Sequence, residues 1–86
     1  MVYFALTRQG YDDLISQLGQ APSPLWVNQG ILSGPEMKQL RGAGVGLSNF
    51  TIHVDQQDAA DVAQAVETIA EHHPGQTVWV EHRTEA

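Results

Sequence analysis

Apolar positions fall into four short runs, and the stretches between them have helical spacing. The runs lie at residues 2–6, 25–27, 45–54 and 77–82. In the stretches that separate them, apolar residues recur every three or four positions after a capping residue, as they do in amphipathic helices. Strands that alternate with helices are typical of parallel β-α-β units. The sequence therefore predicts one α/β domain over residues 1–86, β-α-β-α-β-α-β, with a mostly parallel four-stranded sheet.

Capping residues predict where the helices begin and end. Residues 33–36 form a capping box, in which Ser33 and Glu36 bond each other's backbone N–H groups, and Pro35 lies in the first turn. We expect Thr7 to cap the first helix and Asp55 the third, with Asp58 as the partner in its box. Gly19 is expected to end the first helix.

The faces of the strands suggest two strand orders. The first run is apolar on both faces, which favours a central strand. In the third run Phe50, Ile52 and Val54 alternate with polar residues, so that one face is expected to be buried and the other open. We expect the order 2-1-3-4 with one face incompletely covered. The alternative order, 1-2-3-4, would place all three helices on one face.

Composition and charge exclude several classes of function. The chain has 86 residues, no cysteine and a net charge of −6, and all of that charge arises in residues 55–86, where seven acidic residues face Arg83 alone. Four basic residues in total are too few to neutralise a nucleic-acid backbone, so we expect no nucleic-acid binding. A secretory leader and an apolar run long enough for a membrane are not found, so we expect a cytoplasmic protein that does not bind membranes.

Motifs for cofactor chemistry are not found. The glycine-rich segment 42–46 runs from a predicted helix into a predicted strand, whereas a phosphate-binding loop runs from a strand into a helix. The serines lack the motif of a nucleophile elbow. No motif of a known family is matched closely enough to assign residues from it, and we predict no cofactor.

Aromatic residues on the strands predict a surface for protein contacts. Trp79 and Glu81 alternate onto one face of the last strand, and Tyr3 and Thr51 are expected to share the open face of the sheet. A patch of aromatic and polar side chains is typical of an interface. We therefore expect a non-catalytic interaction domain that binds a protein partner or forms a homodimer.

Histidines at the strand ends predict an alternative function. His53, Asp55 and His82 lie where the third and fourth strands end, at the edge where open α/β sheets bind ligands. Two imidazoles and a carboxylate form a possible ligand set for a metal. The alternative is thus a small metal- or ligand-binding enzyme, and the sequence leaves open whether the chain is catalytic.

Overall fold

The computed structural model describes residues 1–81, and its elements follow the predicted succession of strands and helices. The α/β class is confirmed. In chain order the elements are β1 Val2–Ala5, α1 Arg8–Leu18, β2 Leu25–Val27, α2 Gly34–Gly42, β3 Leu47–Asn49, α3 Ala59–His72 and β4 Val78–Val80.

The four strands of residues 1–81 form one parallel sheet in the order β3-β2-β1-β4. The central position of β1 is confirmed, but the preferred order 2-1-3-4 and its alternative 1-2-3-4 are both wrong. The chain moves from β1 through β2 to β3 in one direction, and α3 then carries it back to the other side of β1. The hydrophobicity of β1 predicted an interior strand. It did not specify which strands pair with β1, because both of the strands beside it are apolar.

Helices cover both faces of the sheet. Tyr11 and Leu14 of α1, with Met37 and Leu40 of α2, pack on one face in a cluster around Leu25. On the other face α3 packs through Ala65 and Ile69 on residues that include Phe4 and Trp26. Two layers of helices on one sheet are what right-handed crossovers require when the chain reverses direction across the sheet.

The third strand is shorter than the apolar run predicted. The backbone N–H of Phe50 donates to Val27 O at 3.0 Å, after which the chain leaves the sheet. Phe50 and Val54 still pack toward the α3 face, but Ile52 between them is 79% exposed. The alternation in residues 50–54 therefore reflects a loop that touches the core at two points, and the expected burial of Ile52 is wrong.

Two of the three predicted helix starts are confirmed. Thr7 caps α1, and its hydroxyl accepts from Gly10 N, while Ser33 and Glu36 form the capping box of α2. Gly19 ends α1 in the left-handed conformation, as expected. The cap of α3 is Asp58 and not Asp55, because the Asp55 carboxylate instead accepts from Gln57 N within the preceding turn.

One buried side chain joins three connections at the carboxyl edge of the sheet. The Asn28 amide nitrogen donates to Leu6 O at 3.0 Å and to Val54 O at 2.7 Å. Its oxygen accepts from Gln29 N and Val54 N, both at 2.8 Å. Asn28 thus ties the ends of β1 and β2 to the loop before α3. An amide whose donors and acceptor are all used in this way serves the fold and not a ligand.

Candidate interaction surface

Strand β4 is an edge of the sheet, and within residues 1–81 no strand pairs with its outer side. Thr77 O accepts from Val2 N at 2.8 Å, and Glu81 N donates to Phe4 O at 3.0 Å. Because alternate residues of a strand bond the same neighbour, Trp79 directs its backbone groups toward β1 as well. Val78 and Val80 consequently direct their N–H and C=O groups toward the open edge.

Trp79 lies on the face of β4 opposite α3. The side chains of Val78 and Val80 pack into the cluster beneath α3, so the next side chain in the alternation, Trp79, points to the other face. Its ring lies 5.9 Å from that of Tyr3, tilted by 47°, and the residue is 37% exposed. Strand β4 therefore presents a partly exposed aromatic pair beside an open backbone edge.

Glu81 links the carboxyl end of β4 to the start of α1 by hydrogen bonds. Its carboxylate accepts from Leu6 N at 2.8 Å, from Thr7 N at 2.9 Å and from the Thr7 hydroxyl at 2.6 Å. Glu81 is 8% exposed, and a Cβ on Gly10 would overlap its carboxylate. A helix N-terminus favours a negative group, so the carboxylate occupies the place that an external anion takes in many nucleotide-binding folds.

The opposite edge of the sheet is partly closed by a side chain. Leu25 N donates to Gly46 O and Phe50 N donates to Val27 O, which leaves the backbone oxygen of Leu47 on the outer side of β3. The Arg41 guanidinium donates to that oxygen at 3.2 Å. Proteins commonly block an edge strand with a charged side chain. In the described part of the chain, no charged side chain blocks the outer edge of β4 in the same way.

A stripe of mostly alanine residues lies on the side of α3 turned away from the loop 50–54. Asp61, Gln64, Ala65 and Thr68 lie on the side of α3 that meets the loop 50–54, beside β3. At 100° per residue, the stripe lies on the opposite side of α3, away from β3. The stripe consists of Ala59, Ala63 and Ala70, which are exposed, and Val66, which is half-buried and packs partly on the core.

The structure brings together three of the four residues predicted for an interface. Tyr3 and Trp79 are neighbours, and Glu81 follows on the same face of β4, although its carboxylate is used internally. Thr51 lies in the exposed loop after β3, outside the sheet and separated from β4 by β2 and β1. The outward backbone groups of Val78 and Val80 were not foreseen, because only the strand order identifies β4 as an edge.

The residues predicted for a metal or ligand site are only partly described. His53 and Asp55 are exposed on the loop before α3, and the Asp55 carboxylate accepts from Gln57 N at 2.9 Å. His82 lies outside the described residues. Within residues 1–81 no three metal-ligating side chains cluster. The ligand set His53, Asp55 and His82 stays a prediction.

A groove lies between the loop 50–54 and α3. Its volume is about 250 Å³, and its walls are formed by Phe50, Ile52, His53, Val54, Asp61, Gln64, Ala65 and Thr68. Sequence reasoning missed Asp61, Gln64 and Thr68 as neighbours of His53. Their spacing predicted that they lie on one side of a helix. The segment 50–54, which forms the other wall of the groove, was expected to be a strand in the sheet.

Comparison of the chain with models of protein families, with curated proteins and with solved structures finds no match. Among the helices in residues 1–81, none has the length and apolar character needed to cross a membrane. The open edge of β4 and the groove beside α3 are therefore the features of residues 1–81 that bear on function.

Proposed function

We propose that this domain is a non-catalytic interaction module that self-associates by pairing β4 with the β4 strand of a second copy. The observation that carries the proposal is the partly exposed Trp79 on an edge strand whose outer side pairs with no strand of residues 1–81. An unpaired row of backbone donors and acceptors is a template for another strand, and an aromatic side chain beside it adds apolar area to bury.

A two-fold axis through Trp79 satisfies the open edge of both copies. In an antiparallel pair about that axis, Val78 of each copy lies opposite Val80 of the other. Since these residues direct their backbone groups outward, each such pair exchanges two hydrogen bonds. Trp79 then faces its own counterpart at a non-hydrogen-bonded position, where cross-strand side chains approach most closely. The edge is thus complementary to itself.

The α3 stripe supports the antiparallel pairing of β4 on the face of the sheet opposite Trp79. An axis perpendicular to the sheet keeps α3 of both copies on one face, side by side and antiparallel. The stripe residues Ala59, Ala63 and Ala70 would meet their counterparts, and small side chains let two helices approach closely. Glu67 and Glu71, which are exposed, lie about 70 to 110° around α3 from the stripe and stay in solvent.

Solution molar mass tests the proposal. Light scattering at micromolar and near-millimolar concentrations is expected to show a dimer whose population grows with concentration. Trp79→Lys is expected to give a monomer, because a charge at the two-fold axis would face its own copy. Ile52→Lys is the matched control, since it removes an exposed apolar residue far from β4 and should leave the dimer intact.

Two results would overturn the proposal. One is a monomer at every concentration of the unchanged protein, and the other is a dimer that survives Trp79→Lys. Circular dichroism on both variants verifies that the domain remains folded, as expected for substitutions at exposed positions.

A further inference from the structure

The groove beside α3 has an apolar part and a polar wall, with room for about one side chain. Phe50 forms its floor, with its ring centroid 5.3 Å from that of Phe4 and 5.3 Å from that of Trp26. Val54 and Ala65 are buried beside it, and the exposed Ile52 forms a lip. A volume of about 250 Å³ lies below the range of pockets that hold cofactors or drug-sized ligands.

The polar wall of the groove is acidic. Asp61 is half-buried, and its Oδ2 accepts from Asp55 N at 3.1 Å. Its Oδ1 makes no hydrogen bond with residues 1–81. Gln64 and Thr68 continue the same wall one and two turns along α3. The carboxylates of Asp55 and Asp58, both exposed, add negative charge at the start of α3.

The positive side chains of residues 1–81 lie on the far side of the sheet. Lys38 and Arg41 belong to α2, and Arg8 begins α1, so all three are on the helices of the opposite face. Within residues 1–81, no Lys or Arg lines the groove, and its titratable side chains are the Asp61 carboxylate and the His53 imidazole. A cation entering the groove is attracted to a half-buried carboxylate, and solvent screens that attraction less than it would at a fully exposed position.

We propose that this groove receives an arginine side chain from a partner protein. The three-carbon stem would lie on Phe50 and Val54, which suits the apolar part of that side chain. A guanidinium is planar, stacks on aromatic rings and donates paired hydrogen bonds to a carboxylate, so it matches Phe50 below and Asp61 at the side. Lysine, with a strongly hydrated point charge, matches the same walls less well.

We assign the arginine to a different protein and not to a second copy, because both arginines of residues 1–81 already have partners; Arg83 lies outside the described residues. Arg8 is engaged with Asp12 and Glu36, and Arg41 donates to Leu47 O. The groove lies on the side of α3 that meets the loop 50–54, whereas the self-association surface comprises β4 and the opposite side of α3, so the two surfaces are separate. The inference consequently stands independently of the proposed function.

Chemical-shift mapping with a capped arginine peptide tests the inference. The probe is acetyl-Ala-Arg-Ala-amide, and the isosteric control replaces arginine with citrulline, which is neutral. We expect saturable amide shifts confined to residues 50–54 and 61–68, with a Kd on the order of millimolar, as suits one anchored side chain. Citrulline is expected to bind at least tenfold more weakly.

Variants of the groove distinguish a site from a general acidic attraction. Asp61→Asn keeps an oxygen for Asp55 N and is expected to weaken arginine binding about tenfold, while Asp13→Asn on α1 leaves it unchanged. Gln64→Lys, at an exposed position, places a cation in the groove and should abolish binding even if Asp61→Asn perturbs the loop. Trp79→Lys is expected to retain binding.

Three outcomes would overturn the inference. They are equal binding of arginine and citrulline peptides, equal weakening by Asp61→Asn and Asp13→Asn, and shifts scattered over the whole acidic surface. Binding of n-propylguanidinium without binding of the peptide would also overturn it, because the source would then be a small molecule and not a protein.

Discussion

At the scale of single residues, buried polar side chains bond the backbone groups at the carboxyl edge of the sheet, where other parallel sheets bind a ligand. Asn28 bridges three connections, and the Glu81 carboxylate occupies the N-terminus of α1. The sequence placed both residues near the strand ends, but their partners are 22 to 75 positions away along the chain. Such contacts are set by the packing of the elements and not by local spacing.

Replacing Asn28 with the isosteric aspartate is expected to destabilise the domain by about 3–5 kcal/mol, because it buries a charge and removes two donors. The carboxylate would face the carbonyl oxygens of Leu6 and Val54, which the amide now satisfies. Urea unfolding measures the loss. Gln29→Glu adds the same charge at an exposed neighbour, and equal midpoints for the two variants would contradict the role given to Asn28.

At the scale of elements, local chemistry was the most reliable guide. The caps of α1 and α2 and the left-handed Gly19 follow from short motifs whose hydrogen bonds close within a few residues. The start of α3 was misplaced by one turn, because Asp55 and Asp58 are both suitable caps. The length of β3 was overestimated, because a loop that touches the core at Phe50 and Val54 has the same alternation as a strand.

The capping box of α2 gives a prediction for the pH dependence of stability. The backbone N–H of Ser33, followed by the Arg8 guanidinium, holds the pKa of Glu36 below its usual range. The folded state therefore favours the charged carboxylate. Its contribution to stability is full above the pKa of the unfolded carboxyl, and it is lost as the pH falls through the lower folded pKa.

The variant Glu36→Gln is accordingly expected to be less stable than the parent at pH 7 and equally stable in strong acid. Urea unfolding of both proteins across that range measures the difference. Asp13→Asn serves as the control, since Asp13 is exposed and forms no ion pair among residues 1–81. A difference between the parent and Glu36→Gln that persists unchanged into acid would show that the effect is not carried by the charge.

At the scale of the whole molecule, the two edges of the sheet are unequal. Arg41 occupies one edge, and the other presents Val78, Val80 and Trp79. An asymmetry of this kind favours a closed dimer through one edge over a filament through both.

Net charge predicts how that dimer responds to salt. Each copy carries −6, so association brings like charges together, and α3, which carries much of the negative charge, lies beside the proposed contact. Raising the ionic strength from about 0.01 M to 0.5 M is therefore expected to strengthen self-association, because salt screens the repulsion. Light scattering across the salt series measures it. Arginine-peptide binding is expected to weaken over the same series, and a parallel response of the two would contradict their separation.

The sequence by itself determined the α/β class, the succession of elements, two of the three helix starts and the central place of β1. These follow from periodicity and capping, which act over one or two turns of chain. The tertiary structure decided the strand order, and with it which strand is an edge. It also decided the partners of Asn28 and Glu81 and the meeting of the loop 50–54 with α3. The physical reason is that these features depend on contacts between distant segments, whose pairing is chosen by the packing of the whole core.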